Sequence, residues 1–446
     1  MGTFVQKSRM NLAGQVAALI LGTLASVVIA RVLGPEGKGI FAICTLIPFL
    51  IVTVCDLGVV SASAYFLARR RHSPPEVFGN NIVFAGAVGA AGVLAGALAV
   101  SLFRANFFAS VPLGDLYFCL LLAPLNLLFL FVQSVFLGLQ KFAEYNLASV
   151  RRYAFFLIGT VVTVWALRWG VEGAIAAGVF SYVLADLYLL AETKRLAGRP
   201  VFRVSLPYLR DVARFGLQSH VGNLLSYLNY RGDMLLVNWF LGPSAVGFYS
   251  IGVLLVEQLW LFTNAAKLVI FLQVAAEEDP QRRNEFTPRV ARVMLLTTLP
   301  AAVVLGLAGG FIVELLFSSR YLPAVRPLRL LIPGAAAMGI SRLLANDIAG
   351  RGRPLLNSYI SAGMLALNLA LNCFWIPRFG IAGAALASTV SYSATFLARL
   401  ALYCRLSGNS WKDLLLPRAG DLALIREGIR KFLSRAAPIG TEEKIP

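Results

Sequence analysis

Charged side chains inside otherwise apolar segments are the residues of this chain that could do chemistry. Three of them are cations, Arg231, Lys267 and Arg342, and fixed cations in a site of low dielectric constant bind anions strongly. An ionisable residue within a membrane span is costly in free energy, so it is a functional candidate by default. We therefore predict that these three residues point into a cavity and bind an anionic group.

Three carboxylates lie in similar surroundings, at Asp56, Asp233 and Glu257. A carboxylate in a membrane span can take up a proton or a sodium ion, so we expect these residues to couple transport to an ion gradient. Asp56 has an alternative as the cap of a kink suggested by Pro48. Arg231 and Asp233 have an alternative as structural partners, paired with each other or with a neighbouring helix.

Polar residues recur at helical spacing on the segments that carry these charges, which places them on one face of each helix. Such a face is too polar for lipid, so these helices should line a wet cavity, where we expect Asn346 and Asn368 to contact the ligand. The stripes are Asn223, Ser226, Tyr230 and Asp233, then Glu257, Trp260, Asn264 and Lys267, then Arg342, Asn346 and Gly350, and finally Ser361, Asn368 and Asn372.

The composition is that of a membrane protein with many spans. Hydrophobic residues make up 58% of the 446 residues, charged residues only 14%, against about 25% in soluble domains. Apolar runs long enough to cross a bilayer recur along the chain and predict an all-α polytopic fold of twelve helices. The predicted spans lie near 11–33, 39–67, 81–103, 115–138, 146–167, 172–193, 214–240, 247–273, 290–317, 325–349, 357–376 and 381–404.

The net charge of +18 resides mainly in short loops, so it does not form the folded basic face of a nucleic-acid-binding protein. Loops on the N-terminal side of the membrane carry more than twice as many lysines and arginines as loops on the other side. This bias predicts that both termini are cytoplasmic. Residues 406–446 form a basic tail, in which Leu422, Ile425, Ile429 and Phe432 fit either an amphipathic surface helix or a solvated segment.

The stretch VLGPEGKGIF at residues 32–41 could be a phosphate-binding loop or a tight turn between helices. A phosphate loop needs a lysine directly followed by a hydroxyl residue, whereas Lys38 is followed by Gly39. The stretch recurs as FLGPSAVGFY at residues 240–249, where Val246 replaces Lys38. We therefore interpret it as a structural turn, with Lys38 in the loop and dispensable.

The repeat divides the chain into two halves. A second echo pairs WGVEGAIAAGVFSY (residues 169–182) with FGIAGAALASTVSY (residues 379–392) at nearly the same offset. We predict an N-terminal six-helix lobe at residues 1–204 and a C-terminal six-helix lobe at residues 205–405. An even number of spans in each half makes them parallel repeats around an axis normal to the membrane, with the cavity between them.

Four stretches together resemble one family: RVLGPEGKGIFAI, the DLG at residues 56–58, YRGDMLLVNWFLGPSAVGFYS and ELLFSSRYLPAVRPLRLL. They are similar to Wzx-type oligosaccharide flippases, the polysaccharide-transport branch of the multidrug/oligosaccharidyl-lipid/polysaccharide exporter superfamily, over residues 10–405. The resemblance implies two lobes forming a V around a central cavity. It also implies flipping of undecaprenyl-pyrophosphate-linked oligosaccharide across the bacterial inner membrane by alternating access, for O-antigen, capsule or exopolysaccharide synthesis.

A flippase would use the cations to hold pyrophosphate, beside membrane lipids and the polymerase and chain-length regulator of its pathway. The first alternative is an ion-coupled multidrug antiporter of the same superfamily, whose cationic drugs call for a mainly acidic cavity. A membrane-bound glycosyltransferase or polymerase is a third alternative, but the short loops leave little room for its chemistry. The chain has no nucleophile elbow, HExxH motif or Walker lysine, so we expect a transporter that uses no cofactor or metal and is not an enzyme.

Overall fold

The computed structural model describes residues 2–421 except 204, 262, 265, 267–269, 271, 272, 275, 276, 278 and 419, with side chains omitted at 2–12, 215 and 217–219. Lys267 and the predicted amphipathic segment of the tail lie outside the described residues. The helices are α1 Gly2–Cys55, α2 Val59–Ala68, α3 Pro74–Phe107, α4 Leu113–Cys119, α5 Leu122–Gly138, α6 Phe142–Thr160, α7 Gly170–Ala197, α8 Leu206–Leu241, α9 Pro243–Glu257, α10 Pro280–Phe317, α11 Val325–Gly350, α12 Pro354–Phe379, α13 Ile381–Ser407 and α14 Trp411–Leu415.

The predicted all-α polytopic fold is confirmed. Within the described part of the chain, nine helices are long and apolar enough to cross a membrane, and the first of them, Ala13–Cys55, is long enough to cross twice. The other two predicted spans fall on α8, which is more polar, and on the segment that begins with α9, part of which lies outside the described residues. Large aliphatic side chains face outward on several helices, as lipid-facing residues do, among them Leu94, Leu98, Leu102, Leu307 and Leu315.

The predicted turn at residues 34–38 is a sharp kink inside α1. Gly34 has φ 69° and ψ −177°, and Gly242 between α8 and α9 has φ 81° and ψ 179°. Glycine adopts this positive φ without a steric penalty, and the proline that follows each glycine starts the next helix. The structural interpretation of the motif is thus confirmed, but the loop is not, because the helix restarts at once and contains Lys38.

The two copies of the motif pack against each other. A Cβ atom added at Gly39 would lie 1.7 Å from the carbonyl oxygen of Pro243, and one added at Gly247 would lie 1.9 Å from that of Pro35. Each copy therefore presents its glycine to the proline of the other, as expected for two halves around a twofold axis. We call this end of the bundle the kink end, and the opposite end, which holds residues 69–73 and 408–421, the tail end.

The second echo is also visible in the backbone, since Gly170 and Gly380 have positive φ values of 67° and 61°. Helices of each half pack largely on one another, and α1 against α9 is the main contact between the halves. At the kink end, Tyr321 donates a hydrogen bond to the carbonyl of Ala30 (2.9 Å), and the Arg31 guanidinium donates to carbonyls at the end of α10. The lobe boundary at residues 204/205 stays a prediction.

Candidate functional site

A cavity of about 320 Å³ lies where α1 of the first half faces α8 and α9 of the second half. Aliphatic and aromatic side chains form most of its wall. Because apolar helices surround it, a charge in this cavity interacts more strongly with a ligand than a charge in water would. The polar side chains that line it are Ser26, Lys38, Thr45, Tyr227, Arg231, Ser250 and Glu257.

Arg231 and Glu257 form an ion pair in the wall of this cavity. The Arg231 Nη2 and Glu257 Oε2 atoms are 2.8 Å apart, and both side chains are half-buried. The sequence assigned anion binding to the first residue and ion coupling to the second, and the structure brings the two together. An arginine so placed is held in position by the carboxylate, yet keeps donors for a ligand.

Lys38 is a cavity residue that sequence reasoning missed. Its side chain is buried, and Nζ donates a hydrogen bond to Ser26 Oγ at a distance of 2.9 Å. The loop position inferred from the Pro-Gly context was wrong, because α1 restarts immediately after Gly34. The signal available in the sequence was the spacing of Lys38, Thr45 and Phe49, which places them on one helical face.

Arg342 lies on an aromatic platform in the second half and does not line the 320 Å³ cavity. Its guanidinium carbon is 4.8 Å from the ring centroid of Trp260 and 5.7 Å from that of Tyr230, which is cation–π geometry. Asn346 donates its side-chain amide to the carbonyl of Arg342 one turn earlier (2.8 Å). Of the three predicted cations, the structure thus places Arg231 in the cavity wall and Arg342 beside the aromatic rings of the second half.

Asn368 lies within the second half and does not line the 320 Å³ cavity. Its side chain is fully buried, and Asn372 donates to its Oδ1 atom at 2.9 Å. Arg399 is also buried there and donates to Ser341 Oγ (3.1 Å) and Ser361 Oγ (3.2 Å). Arg399 therefore lies in the interior of the second half.

Asp233 is buried between α8, α9 and α13. Its Oδ2 atom accepts hydrogen bonds from the hydroxyls of Tyr249 (2.5 Å) and Ser388 (3.0 Å). Its Oδ1 atom has no hydrogen-bond partner among the described residues. It forms no hydrogen bond or salt bridge with Arg231, but each of the two bonds to a neighbouring helix, so the alternative of structural pairing with a neighbouring helix stays open. The unpartnered Oδ1 atom suits uptake of a proton or small cation.

Asp56 follows α1 and caps the start of α2. Its Oδ1 atom accepts a long hydrogen bond (3.4 Å) from the amide of Val60. Asp56 therefore lies at the junction of α1 and α2 and not at a kink at Pro48, where α1 stays helical. Its coupling role stays a prediction.

The first half contains a cluster of its own around Asp186, which is buried on α7. The Arg152 guanidinium lies over the rings of Tyr153 (3.8 Å) and Tyr182 (4.8 Å). Asp186 on α7 is buried near Arg152, and neither of its oxygens has a hydrogen-bond partner among the described residues. The proximity of Asp186 to Arg152 depends on the packing of α6 on α7.

Known proteins share the sequence pattern along the chain. Residues 28–326 match the family described as "Polysaccharide biosynthesis protein". A "Putative O-antigen transporter" of Shigella flexneri is 22% identical over 418 residues, which cover 91% of this chain and 98% of that protein. The chain spans less than half the length of two archaeal relatives that are 25% identical over 188 residues. They are a membrane protein of Methanocaldococcus jannaschii (37% of its length) and the "Probable low-salt glycan biosynthesis flippase Agl15" of Haloferax volcanii (40%), and each match covers 41% of this chain.

Solved structures share the fold. The lipid II flippase MurJ in an inward closed conformation superposes with a TM-score of 0.75 at 14% identity, covering 96% of this chain and 93% of that one. An inward-facing multidrug resistance MATE transporter of the MOP superfamily gives 0.70 at 16% identity, covering 90% of this chain and 98% of that one. The fold is thus that of MOP-superfamily transporters. Because the family match extends over well over half of its residues, the chain belongs to the polysaccharide biosynthesis protein family.

Proposed function

We propose that the protein flips an undecaprenyl-pyrophosphate-linked oligosaccharide across the bacterial inner membrane, with both termini in the cytoplasm. The observation that carries this proposal is the charge of the cavity between the halves, where Lys38 and Arg231 face a single carboxylate, Glu257. A diphosphate brings at least two negative charges into a region where water is scarce, and fixed cations offset that desolvation. The names of the Shigella and Haloferax relatives support the same substrate class.

In this proposal each half supplies a cation to the diphosphate. Lys38 comes from α1 and Arg231 from α8, so a bound anion bridges the halves as they alternate between inward-facing and outward-facing states. Arg342, Asn346 and Asn368 would extend the polar path along the second half. Lys267 stays a substrate-binding residue proposed from the sequence, since it lies outside the described residues. Oligosaccharide and lipid reach the cavity from the membrane, and a polymerase and chain-length regulator act on the flipped product.

The carboxylates would couple this cycle to an ion gradient. Asp233 is the strongest candidate, because its Oδ1 atom is buried and has no partner within the described structure. Glu257 would act through Arg231, since taking up a proton there would free the guanidinium for the ligand. Asp56 would act at the junction of α1 and α2.

The experiment replaces the cavity cations and measures surface polymer in cells beside the membrane abundance of each variant. Lys38→Met combined with Arg231→Gln should abolish polymer at normal abundance. The matched control is Arg320→Gln, which neutralises an exposed arginine at the kink end and should leave polymer unchanged. Full polymer production in a protein lacking Lys38, Arg231, Lys267 and Arg342 would contradict the cationic-cavity mechanism and favour the multidrug antiporter.

A further inference from the structure

Arg399 is a buried arginine of the second half that no carboxylate neutralises within the described structure. It lies on α13, and only 5% of its surface is exposed. Its Nη1 and Nη2 atoms donate hydrogen bonds to the hydroxyl oxygens of Ser341 on α11 and Ser361 on α12, at 3.1 and 3.2 Å. Its Nε atom is buried and has no hydrogen-bond partner among the described residues. Arg399 thus contacts neutral groups, and one of its donors is left over.

A second cation lies close to this guanidinium. Arg342, on α11, is near enough to repel Arg399 electrostatically, and its cation–π contacts with Trp260 and Tyr230 add no negative charge. None of the ion pairs between described residues includes either arginine. The three buried carboxylates that the structure describes in the second half have other partners, which are Tyr249 and Ser388 for Asp233, Arg351 and Thr287 for Asp347, and Arg292 for Asp421.

Two neighbouring cations are unfavourable in the interior of an apolar helix bundle. Burying a charge costs free energy unless an opposite charge compensates it, and like charges repel more strongly there than in water. The hydroxyls of Ser341 and Ser361 accept from Arg399, so each keeps an O–H group that can donate. The cluster therefore combines positive charge with hydrogen-bond donors, and an anion would supply the missing negative charge.

We propose that a chloride ion binds at Arg399, beside Arg342, in the interior of the second half. A single-atom anion suits this position, because Arg399 is too enclosed to meet a diphosphate that carries a sugar and a lipid. Arg399 lies about 12 Å from the end of α13 at Ser407, so the ion would enter from the tail end. Bound there, it would stabilise the packing of α11, α12 and α13. Neither arginine lines the 320 Å³ cavity, and the proposal goes beyond the flippase function.

The test measures thermal unfolding of the full chain in lipid nanodiscs, in sodium chloride and in sodium gluconate at the same ionic strength of about 0.15 M. An ion that binds only the folded state raises the unfolding temperature, so wild type should unfold at least about 2 °C higher in chloride. Arg399→Gln removes the charge and the Nε donor, and it should unfold at the same temperature in both salts. Arg399→Met, an apolar replacement, should behave in the same way.

The control is the cavity double variant, Lys38→Met with Arg231→Gln. It keeps Arg399 and should keep the difference between the two salts. Unfolding of wild type at the same temperature in both salts would overturn the proposal. So would a difference that persists in the Arg399 variants and disappears in the cavity variant, because the ion would then lie in the cavity.

Bromide locates the ion directly and does not depend on how the variants fold. In crystals of wild type grown with bromide, anomalous diffraction should show a bromide ion next to Arg399 Nε, and a peak only in the cavity would contradict the proposal. Inorganic pyrophosphate should not replace chloride. If it stabilised wild type more than chloride did, and Arg399→Gln abolished this effect, the site would bind phosphate groups instead. These measurements contain no lipid-linked substrate, so their failure leaves the flippase function, which is measured by polymer, unaffected.

Discussion

The two halves share a backbone motif but differ in the side chains that it presents. The kink glycines Gly34 and Gly242 have the same conformation, and the motif copies contact each other reciprocally. At the same offset of 208 residues, however, Lys38 corresponds to Val246, as the alignment of the two stretches shows. The repeat thus preserves the glycine and proline residues that the close helix contact requires, while the neighbouring side chains differ between the two copies.

The cavity itself shows this difference. Continuing the same offset, Arg231 corresponds to Thr23, and Glu257 corresponds to Phe49, so that the ion pair belongs to the second half alone. The first half contributes one cation, Lys38, which has no charged counterpart. A symmetric pair of helices therefore encloses an asymmetric set of charges, and a ligand in the cavity meets different groups on its two sides.

The largest expected effect comes from breaking the shared contact. Gly39→Val would place Cβ within 1.7 Å of the Pro243 carbonyl, a backbone atom that no rotamer change can move. We expect destabilisation of at least about 3 kcal/mol and little folded protein, measured by membrane abundance and thermal unfolding. Gly310→Ala, at a helical glycine with open space around it, is the control and should unfold like wild type. A Gly39→Val protein with normal thermal stability would contradict the close contact.

The second prediction makes the two halves alike at one position. Lys38→Val gives the first half the residue that its copy carries, and it removes the only cation among the described side chains of α1 that line the cavity. We expect normal folding and at least a tenfold loss of polymer, because a hydrogen bond to a charged group contributes about 1.5–3 kcal/mol. The reverse change, Val246→Lys, should not rescue it. If well-expressed Lys38→Val produced wild-type amounts of polymer, Lys38 would be dispensable, as the sequence interpretation expected.

A smaller effect is expected at Arg342, which tests the aromatic platform of the second half. Arg342→Lys keeps the charge but loses the planar group that lies on Trp260 and the fork that binds two phosphate oxygens. Polymer should fall severalfold, while Arg342→Gln should lower it further at equal abundance. If lysine restored full activity, charge alone would explain the role of this residue.

The smallest effect concerns a contact at the tail end of the second half. Arg292 Nε and Nη2 donate to the carboxylate of Asp421 at 2.7 and 3.1 Å, which lowers the pKa of Asp421. Because its pKa is lowered, the ionised Asp421 stabilises the packing of residues 408–421 at pH values above the ordinary pKa of a carboxyl group. This stabilisation is lost as the pH falls through the lowered pKa. Limited proteolysis of residues 408–421 should therefore increase at acidic pH in wild type. Asp421→Asn should show the increase already at neutral pH.

Hydropathy and repeats were sufficient to predict the spans and the turn, because both depend on residues near one another in the chain. The interpretation of Lys38 failed because Pro35 and three glycines resemble a loop, whereas the helix restarts within one residue. The proximity of Asp186 to Arg152 and the hydrogen bond from Ser388 to Asp233 could not be predicted either. The two residues of each contact lie on different helices, and the spacing of residues along one helix carries no information about its neighbour.

The reciprocal contact between the motif copies has the form of an isologous interface, in which one surface patch meets a second copy of itself. In a dimer of identical six-helix chains, any substitution would appear on both sides of the axis at once. A lysine at position 38 would then face its own duplicate, and like charges in a confined site repel. When both copies lie in one polypeptide, that constraint is removed. Both glycine contacts can be kept while a neighbouring residue changes in one copy only. The asymmetric cavity is thus a consequence of covalent fusion, and it gives a bound anion a defined orientation that a symmetric dimer could not impose.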